Sequence, residues 1–304
     1  MARLKAIDIV LAETLAAHPP RAGSLIITVF GDSISQHGNT VWLGSLIHVL
    51  EPFGLNARQI RTAVFRLAQD GWLSCIKIGR RSYYSFTEFG LGQYARSARR
   101  IYLANPSDWD GLWTLVIPAF ASVALRERLK RELSWLGFGS IANGVLAHPC
   151  ANQESLSETL LELDAAKITV VLRASTDQVA SREVLKRLTR ESWQLDKLES
   201  RYASFIERFG ALQDPLVHEE CLEPAQMFEI QTILIHEYRR ILLRTTDLPN
   251  ELLPAGWSGR AAMNLIARLY HLVRESTARY LESTLETTQG QLPKANNIYF
   301  DRFT

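Results

Sequence analysis

Between Ser24 and Phe86 the apolar residues switch between helical and strand periods in a fixed order, and that order leaves few folds open. Leu25, Ile26, Val29 and Phe30 share one helical face, so a helix is predicted over Leu25–Ser35 with Ser24 as its cap. The polar, glycine-containing stretch Ser35–Thr40 ends it. Val41–Leu43 fits a short strand, and Leu43–Leu50 a second helix stopped by Pro52 and Gly54. Asn56 is a good cap for a third helix, which runs to Asp70 before Gly71. Trp72–Ile78 and Ser82–Phe86 are β-rich runs around Gly79-Arg80-Arg81 and read as a hairpin. Thr87 and Glu88 open a fourth helix ending in Arg96, Arg99 and Arg100. Helix, strand, helix, helix, hairpin is the order of a winged helix-turn-helix.

Charge points the same way. Residues 1–100 carry twelve Lys/Arg against six Asp/Glu, a surplus of +6, while the remainder carries −4. A basic end on an acidic body suggests nucleic-acid binding at that end. The composition, 47% hydrophobic and 22% charged, is globular and excludes disordered and fibrous classes. Cys75, Cys150 and Cys221 are too sparse for a disulfide framework, and no apolar run is long enough to span a bilayer. A cytoplasmic protein with no membrane partner is expected. Before the winged-helix block, Leu4–Ala17 has apolar residues at helical spacing and reads as a helix ended by Pro19-Pro20, an accessory element packing on the body or on a second subunit, with a membrane-surface helix as the alternative.

Beyond residue 103 strands and helices alternate. Trp113–Ala119, Gly144–His148 and Ile168–Arg173 read as strands. Ser122–Leu136, Leu156–Leu163 and Gln178–Thr189 read as helices, and GFGSIANG at 137–144 as a turn. This pattern fits a small α/β or α+β sandwich. Helices then fit Trp193–Phe209, Met227–Arg244 and Gly259–Glu286, followed by a mixed tail. The expected organisation is an α+β multidomain chain: an accessory helix at 1–22, a winged-helix domain at 23–103, a central α+β domain at 104–192 and a helical domain at 193–304.

The third helix carries the chemistry of a DNA reader. Ile60, Ala63, Val64 and Leu67 cluster on one side and must face a core. The other side shows Arg58, Thr62, Phe65 and Gln69, flanked by Gln59, Arg61 and Arg66. Arg bonds guanine bidentately, Gln bonds adenine, and Thr bonds either or touches a thymine methyl. Arg58, Gln59 and Thr62 are therefore assigned to bases, and Arg61 and Arg66 to phosphates or flanking bases. The hairpin tip offers Lys77, Arg80 and Arg81 to the DNA backbone. Tyr83 and Tyr84 point to opposite faces of the second wing strand; one packs in the core, and Tyr83 is assigned to a phosphate.

These residues lie in segments that resemble the phenylacetic-acid catabolism repressors, the PaaX family. The resemblance runs through SLIITVFGD at 24–32, VWLGSLIHVLEPFGLNARQIRTAVFRLAQDGWL at 41–73 and IGRRSYYSFTEFG at 78–90. It continues in WDGLWTLVIP at 109–118, LSWLGFGSIANGVLAHP at 133–149 and LIHEYRRILLRTTDLPNELLPAGW at 234–257. It implies a winged helix, a ferredoxin-like central domain and a helical C-terminal domain. It also implies a homodimeric repressor on double-stranded operator DNA, released by an aryl-acyl-CoA effector such as phenylacetyl-CoA, with no resident cofactor. Thr245-Thr246 stands where an acidic-Pro pair is expected in many relatives, and the helix Leu4–Ala17 lies outside the resemblance.

For such an effector, Arg239, Arg240 and Arg244 are candidates for phosphate binding, with His236, Tyr238 and Trp257 beside them. Trp193, Tyr202 and Phe205 are further candidates for lining an acyl pocket. The competing reading pairs the arginines with Glu229, Glu237 and Asp247 as structural locks. An acyl-CoA-acting or metal-dependent enzyme with a regulatory winged helix is the alternative function. It lacks support: His236-Glu237 has Arg240 where a zinc helix needs a second His, and His218, Cys221 and His236 offer no second close-spaced ligand pair. No G-x-S-x-G elbow, dinucleotide fingerprint or P-loop occurs. No catalytic residue and no metal ligand is assigned.

Overall fold

The computed structural model describes residues 2–102, 109–176, 182–218, 223–242 and 248–303. The chain forms two compact units. The first comprises Met1–Ala104, Ala203–Arg240 and Arg260–Thr304, and the second Asn105–Tyr202 and Ile241–Gly259. The last third of the chain is thus divided between them.

The first unit begins with α1 (Ala2–Ala17), which buries Ile7, Val10 and Leu11. Next come α2 (Ala22–Asp32), β1 (Thr40–Trp42), α3 (Leu43–Leu50) and α4 (Ala57–Gln69). They are followed by β2 (Leu73–Ile78), β3 (Arg81–Phe86) and α5 (Glu88–Tyr102). The expected order of elements is present. Helix α2 starts earlier than the Ser24 cap implies: Arg21 holds the cap position, with no side-chain capping bond. Ser24 lies inside the helix, where its carbonyl accepts from Thr28 Oγ1 at 3.0 Å. The strands form an antiparallel sheet in the order β1-β3-β2. Its hairpin loop is Gly79-Arg80, and Gly79 takes the positive φ of +57° that a II′-type two-residue turn needs at its first position. The core of this part joins Leu25, Ile26, Val29 and Phe30 to Leu46, Ile60, Val64 and Phe86, all nearly inaccessible.

The second unit carries β4 (Leu112–Ile117), α6 (Val123–Trp135), β5 (Gly139–Ala142), β6 (Val145–His148), α7 (Gln153–Glu162), β7 (Val170–Ser175) and α8 (Arg182–Ser192). The four strands are antiparallel in the order β5-β6-β4-β7. One sheet face contributes Val116 and Leu146 to a core with Leu129, Leu133, Leu156 and Leu160. The other packs Trp113 and Ala147 against Leu252. Strand β5 corrects the reading of 137–144 as a turn alone. Its four residues include Gly139, whose missing side chain leaves room for the Trp193 ring, 2.7 Å from where a Cβ would stand. A glycine kept for close approach looks like a turn glycine in sequence.

The remaining elements are α9 (Leu195–Gly210), α10 (Gln213–His218), α11 (Pro224–Leu242), α12 (Ser258–Thr284), the small hairpin β8 (Glu286–Thr287) and β9 (Gly290–Gln291), and α13 (Asn297–Phe300). The three long helices lie where their apolar spacing placed them. No helix among the described residues is long and apolar enough to cross a membrane.

Candidate nucleic-acid interface

Helix α4 is fixed at its start by a reciprocal cap. Asn56 Oδ1 accepts from the Gln59 backbone N–H, and Gln59 Oε1 accepts from the Asn56 N–H, both at 2.9 Å. Ile60, Val64 and Leu67 anchor the inner face. Arg58, Gln59, Arg61, Thr62, Phe65 and Arg66 are all exposed on the outer face. Two of the assigned base readers are partly spent inside the helix. One of the two lone pairs of Gln59 Oε1 is engaged in the cap, which ties the amide to the helix start and restricts how it can present its acceptor to adenine. Thr62 Oγ1 donates to Arg58 O at 2.9 Å, which turns its hydroxyl back on the helix. Beside this face runs a groove of about 620 Å³, bounded by Arg21–Gly23 on one side and by Arg58, Thr62 and Arg66 on the other.

In the wing, Lys77, Arg80 and Arg81 are exposed at and beside the turn. Arg81 is held within the chain. Its guanidinium pairs with Glu286 at 2.5 Å and stacks 4.2 Å from the Trp42 ring. The hydrogen bond to Glu286, followed by one to Tyr83, raises its pKa above the ordinary value. Tyr83 is the inward tyrosine, 7% exposed, and this corrects its assignment to a phosphate. It sits on the central strand of the sheet, between Trp42 and Ile76 in register, so its ring is covered. Tyr84 is the half-exposed one. Burial, and then its hydrogen bond with Cys75, lifts its pKa to about 12.

Of the effector candidates, His236, Tyr238, Arg239 and Arg240 lie on α11 in the first unit. His236, Tyr238 and Arg239 are 2%, 3% and 7% exposed inside the first unit, so as first-contact groups for a ligand they are corrected. They face inward because α11 packs beneath α2. Thr28 Oγ1 lies 3.1 Å from His236 Nδ1, and Arg239 Nη1 donates to the same hydroxyl at 3.5 Å. Arg239 Nε is buried with no hydrogen-bond partner among the described residues. Desolvation, then Arg239 and Arg240, drives the His236 pKa down to about 3. The Tyr238 hydroxyl donates to Met263 Sδ at 3.2 Å. Arg240 pairs with Glu237 at 2.6 Å, the one pair of the structural reading present among the described residues, and Glu237 also meets His18 and Arg208. Trp257 belongs to the second unit and packs on Tyr202, 5.5 Å between rings. Arg244 and Cys221 lie outside the described residues. Among the described residues no group of three or more His, Cys, Asp or Glu side chains is placed to hold a metal ion.

Sequence reasoning missed a buried polar network centred on Asp32. Asp32, 1% exposed, receives Tyr102 at 2.5 Å, Gln231 at 2.7 Å, Arg302 at 2.9 Å and Tyr270 at 3.2 Å. Tyr94 extends the network to Tyr102 at 3.0 Å, and burial lifts its pKa to about 12. An acidic residue closing the apolar run Leu25–Gly31 was the available signal. Above this network opens a cavity of about 460 Å³, with Leu91, Ala95, Ala98 and Ile298 among its walls and Tyr102 and Arg302 in its lining.

One unit thus holds a capped helix with a basic outer face and a basic hairpin. The chain belongs to the PaaX family. The family model described as PaaX-like protein matches residues 21–90, that of the PaaX protein central Cas2-like domain matches 106–185, and that of the PaaX-like protein C-terminal domain matches 193–283. The transcriptional repressor PaaX of Escherichia coli (strain K12) is 36% identical over 299 residues, covering 98% of this chain and 94% of that protein. Among solved structures, the uncharacterized protein Rv0674 from Mycobacterium tuberculosis aligns with a TM-score of 0.47 at 20% identity, over 78% of this chain and 91% of that one.

Proposed function

We propose that this chain is a DNA-binding transcriptional repressor of aromatic, phenylacetate-type catabolism genes. One observation carries the reading: α4 is locked by its cap and core face while Arg58, Arg61 and Arg66 stand exposed on its outer face. The element order α2, β1, α3, α4, β2, β3 supports a winged helix in which α4 enters the major groove and the Lys77–Arg81 tip follows the backbone. The β-α-β-β-α-β order and the strand order β5-β6-β4-β7 support a ferredoxin-like central domain. The relative's description as a transcriptional repressor agrees with this assignment.

Two copies would present two α4 helices to a palindromic operator, their half-sites about 34 Å apart or a multiple of it. The chain acts as a cytoplasmic homodimer. Its effector is an aryl-acyl-CoA, phenylacetyl-CoA being the first to test. The cavity over Tyr94 and Tyr102 supports a place for the aryl group, since its apolar walls and volume suit a small hydrophobic ligand. Induction needs the effector to prefer the DNA-incompetent state by a few kcal/mol, since about 1.4 kcal/mol gives only tenfold.

The test is fluorescence anisotropy on DNA upstream of the neighbouring aromatic-catabolism genes, at two salt concentrations. Phenylacetyl-CoA, phenylacetate, free CoA and scrambled DNA form the comparison set. Specific binding released by the thioester alone is the expected result, and Ala98→Trp, which fills the cavity, should bind DNA but resist release. Equal affinity for scrambled DNA with a steep salt slope would overturn the repressor reading.

A further inference from the structure

The outer face of α4 is less polar than its composition suggests. One lone pair of Gln59 Oε1 is bound in the cap, and the Thr62 hydroxyl is bonded back to Arg58 O. What Thr62 then has to offer outward is its methyl group. Three residues on stands Phe65, 60% exposed, and residues three apart on a helix are neighbours on one face. Packing among the described residues does not call for a phenylalanine here, because the inner face of α4 is already filled by Ile60, Val64 and Leu67. Arg58, Arg61 and Arg66 surround the apolar strip with positive charge. An apolar protein partner would face three guanidinium groups that have no carboxylate partner among the described residues. A DNA major groove supplies both matching features: phosphates for the arginines, and the thymine 5-methyl, the apolar group that projects from a base edge into that groove.

We infer that Phe65, with the Thr62 methyl, reads thymine through its 5-methyl group, and that this contact and Arg58 define the base preference of α4. The inference rests on the operator-binding reading above, and its test separates the two. A random duplex pool is selected with the full chain to obtain its preferred sequence. Each dT of that duplex is then replaced in turn by dU, which removes only the methyl. Wild type should lose about fourfold in affinity at one thymine position of each half-site, the worth of burying one methyl. Phe65→Ala should bind the thymine duplex more weakly and show no dU penalty there, while Phe65→Leu keeps part of it. Because Phe65 lies outside the core, Phe65→Ala should melt at the wild-type temperature. Specific binding that is indifferent to dU at every position would overturn the inference, as would a penalty that survives in Phe65→Ala. A change in subunit mass on Phe65→Ala would also overturn it, by assigning the ring to contact between copies. Failure of the pool to enrich any sequence would remove the operator reading itself, and this inference with it.

Discussion

Asp32→Asn is the sharpest test of how the first unit is held together. The substitution keeps the side-chain shape and removes one charge. It leaves the Arg302 guanidinium, 5% exposed, without the carboxylate 2.9 Å away. It also weakens the bonds from Tyr102, Tyr270 and Gln231, whose acceptor is no longer charged. Removing one partner of a buried ion pair costs about 3–5 kcal/mol, because the survivor stays desolvated and unpaired. That is a large fraction of the roughly 5–15 kcal/mol that stabilises a native domain. Hydrogen exchange read on peptides of α2, α5 and α12 isolates the first unit from the second. Where exchange requires opening of this unit, about 1.4 kcal/mol per tenfold makes those amides exchange roughly two to four powers of ten faster. Adding Arg302→Met should return much of the loss, since an apolar group of similar length needs no counter-charge. Acceleration below about threefold would refute the argument, as would a double variant less stable than Asp32→Asn.

Three further outcomes follow from the interface and the buried histidines. Arg58→Ala should cost about 1–3 kcal/mol on the preferred duplex and relax base preference, whereas Arg61→Ala and Arg66→Ala should lower affinity evenly across sequences and reduce the salt slope by about 0.9 each; anisotropy across a sequence panel distinguishes them. Glu286→Gln releases Arg81 from its carboxylate, so DNA binding should tighten and the salt slope steepen by about 0.9, and an unchanged slope would keep Arg81 out of the interface. His236 has a folded pKa of about 3 against an ordinary 6.5, so its contribution is complete above pH 6.5 and is lost as pH falls toward 3. At pH 5 the loss is about 2 kcal/mol, with His37 adding in the same direction; denaturation midpoints of wild type and His236→Gln between pH 7 and 5 measure it, and parallel curves would refute it.

What could be read from the sequence was local. The α4 boundaries and its inner face followed from a cap and a 3.6-residue period, both of which act within one helix. The wing turn followed from Gly79, whose positive φ leaves its mark in the residue type. What could not be read depended on partners far along the chain. A period of two places Tyr83 and Tyr84 on opposite faces without saying which is inside; the β1 pairing of Trp42 with Tyr83 decides that. His236 and Arg239 sit in a charged run and are effector candidates from sequence, but α11 packs against α2 through Thr28, some 208 residues earlier. Charge density marks a helix as polar without marking which of its faces is buried.

These distant partners bear on the domain boundary drawn at residues 23 and 103. Within the first unit Asp32 depends on Arg302, Tyr270 and Gln231, His37 Nδ1 on the Pro293 carbonyl at 2.9 Å, and Phe53 on the Phe228 ring at 5.9 Å. Expressed alone, the 23–103 segment would expose Asp32 and the apolar faces that α11 and α12 cover, while keeping every residue assigned to DNA. A carboxylate that enters water loses nothing by it, but Phe53 and the α2 face lose their buried area, at about 25 cal/mol per Å². The fragment should therefore unfold over a broad thermal transition and bind the preferred duplex more weakly than the full chain, at equal salt and with the same base ranking. A sharp transition with undiminished affinity would mean that the reader folds by itself. The C-terminal helices would then act on it only from outside, and a signal at the Tyr94 cavity would have no packed route through α5 to the wing.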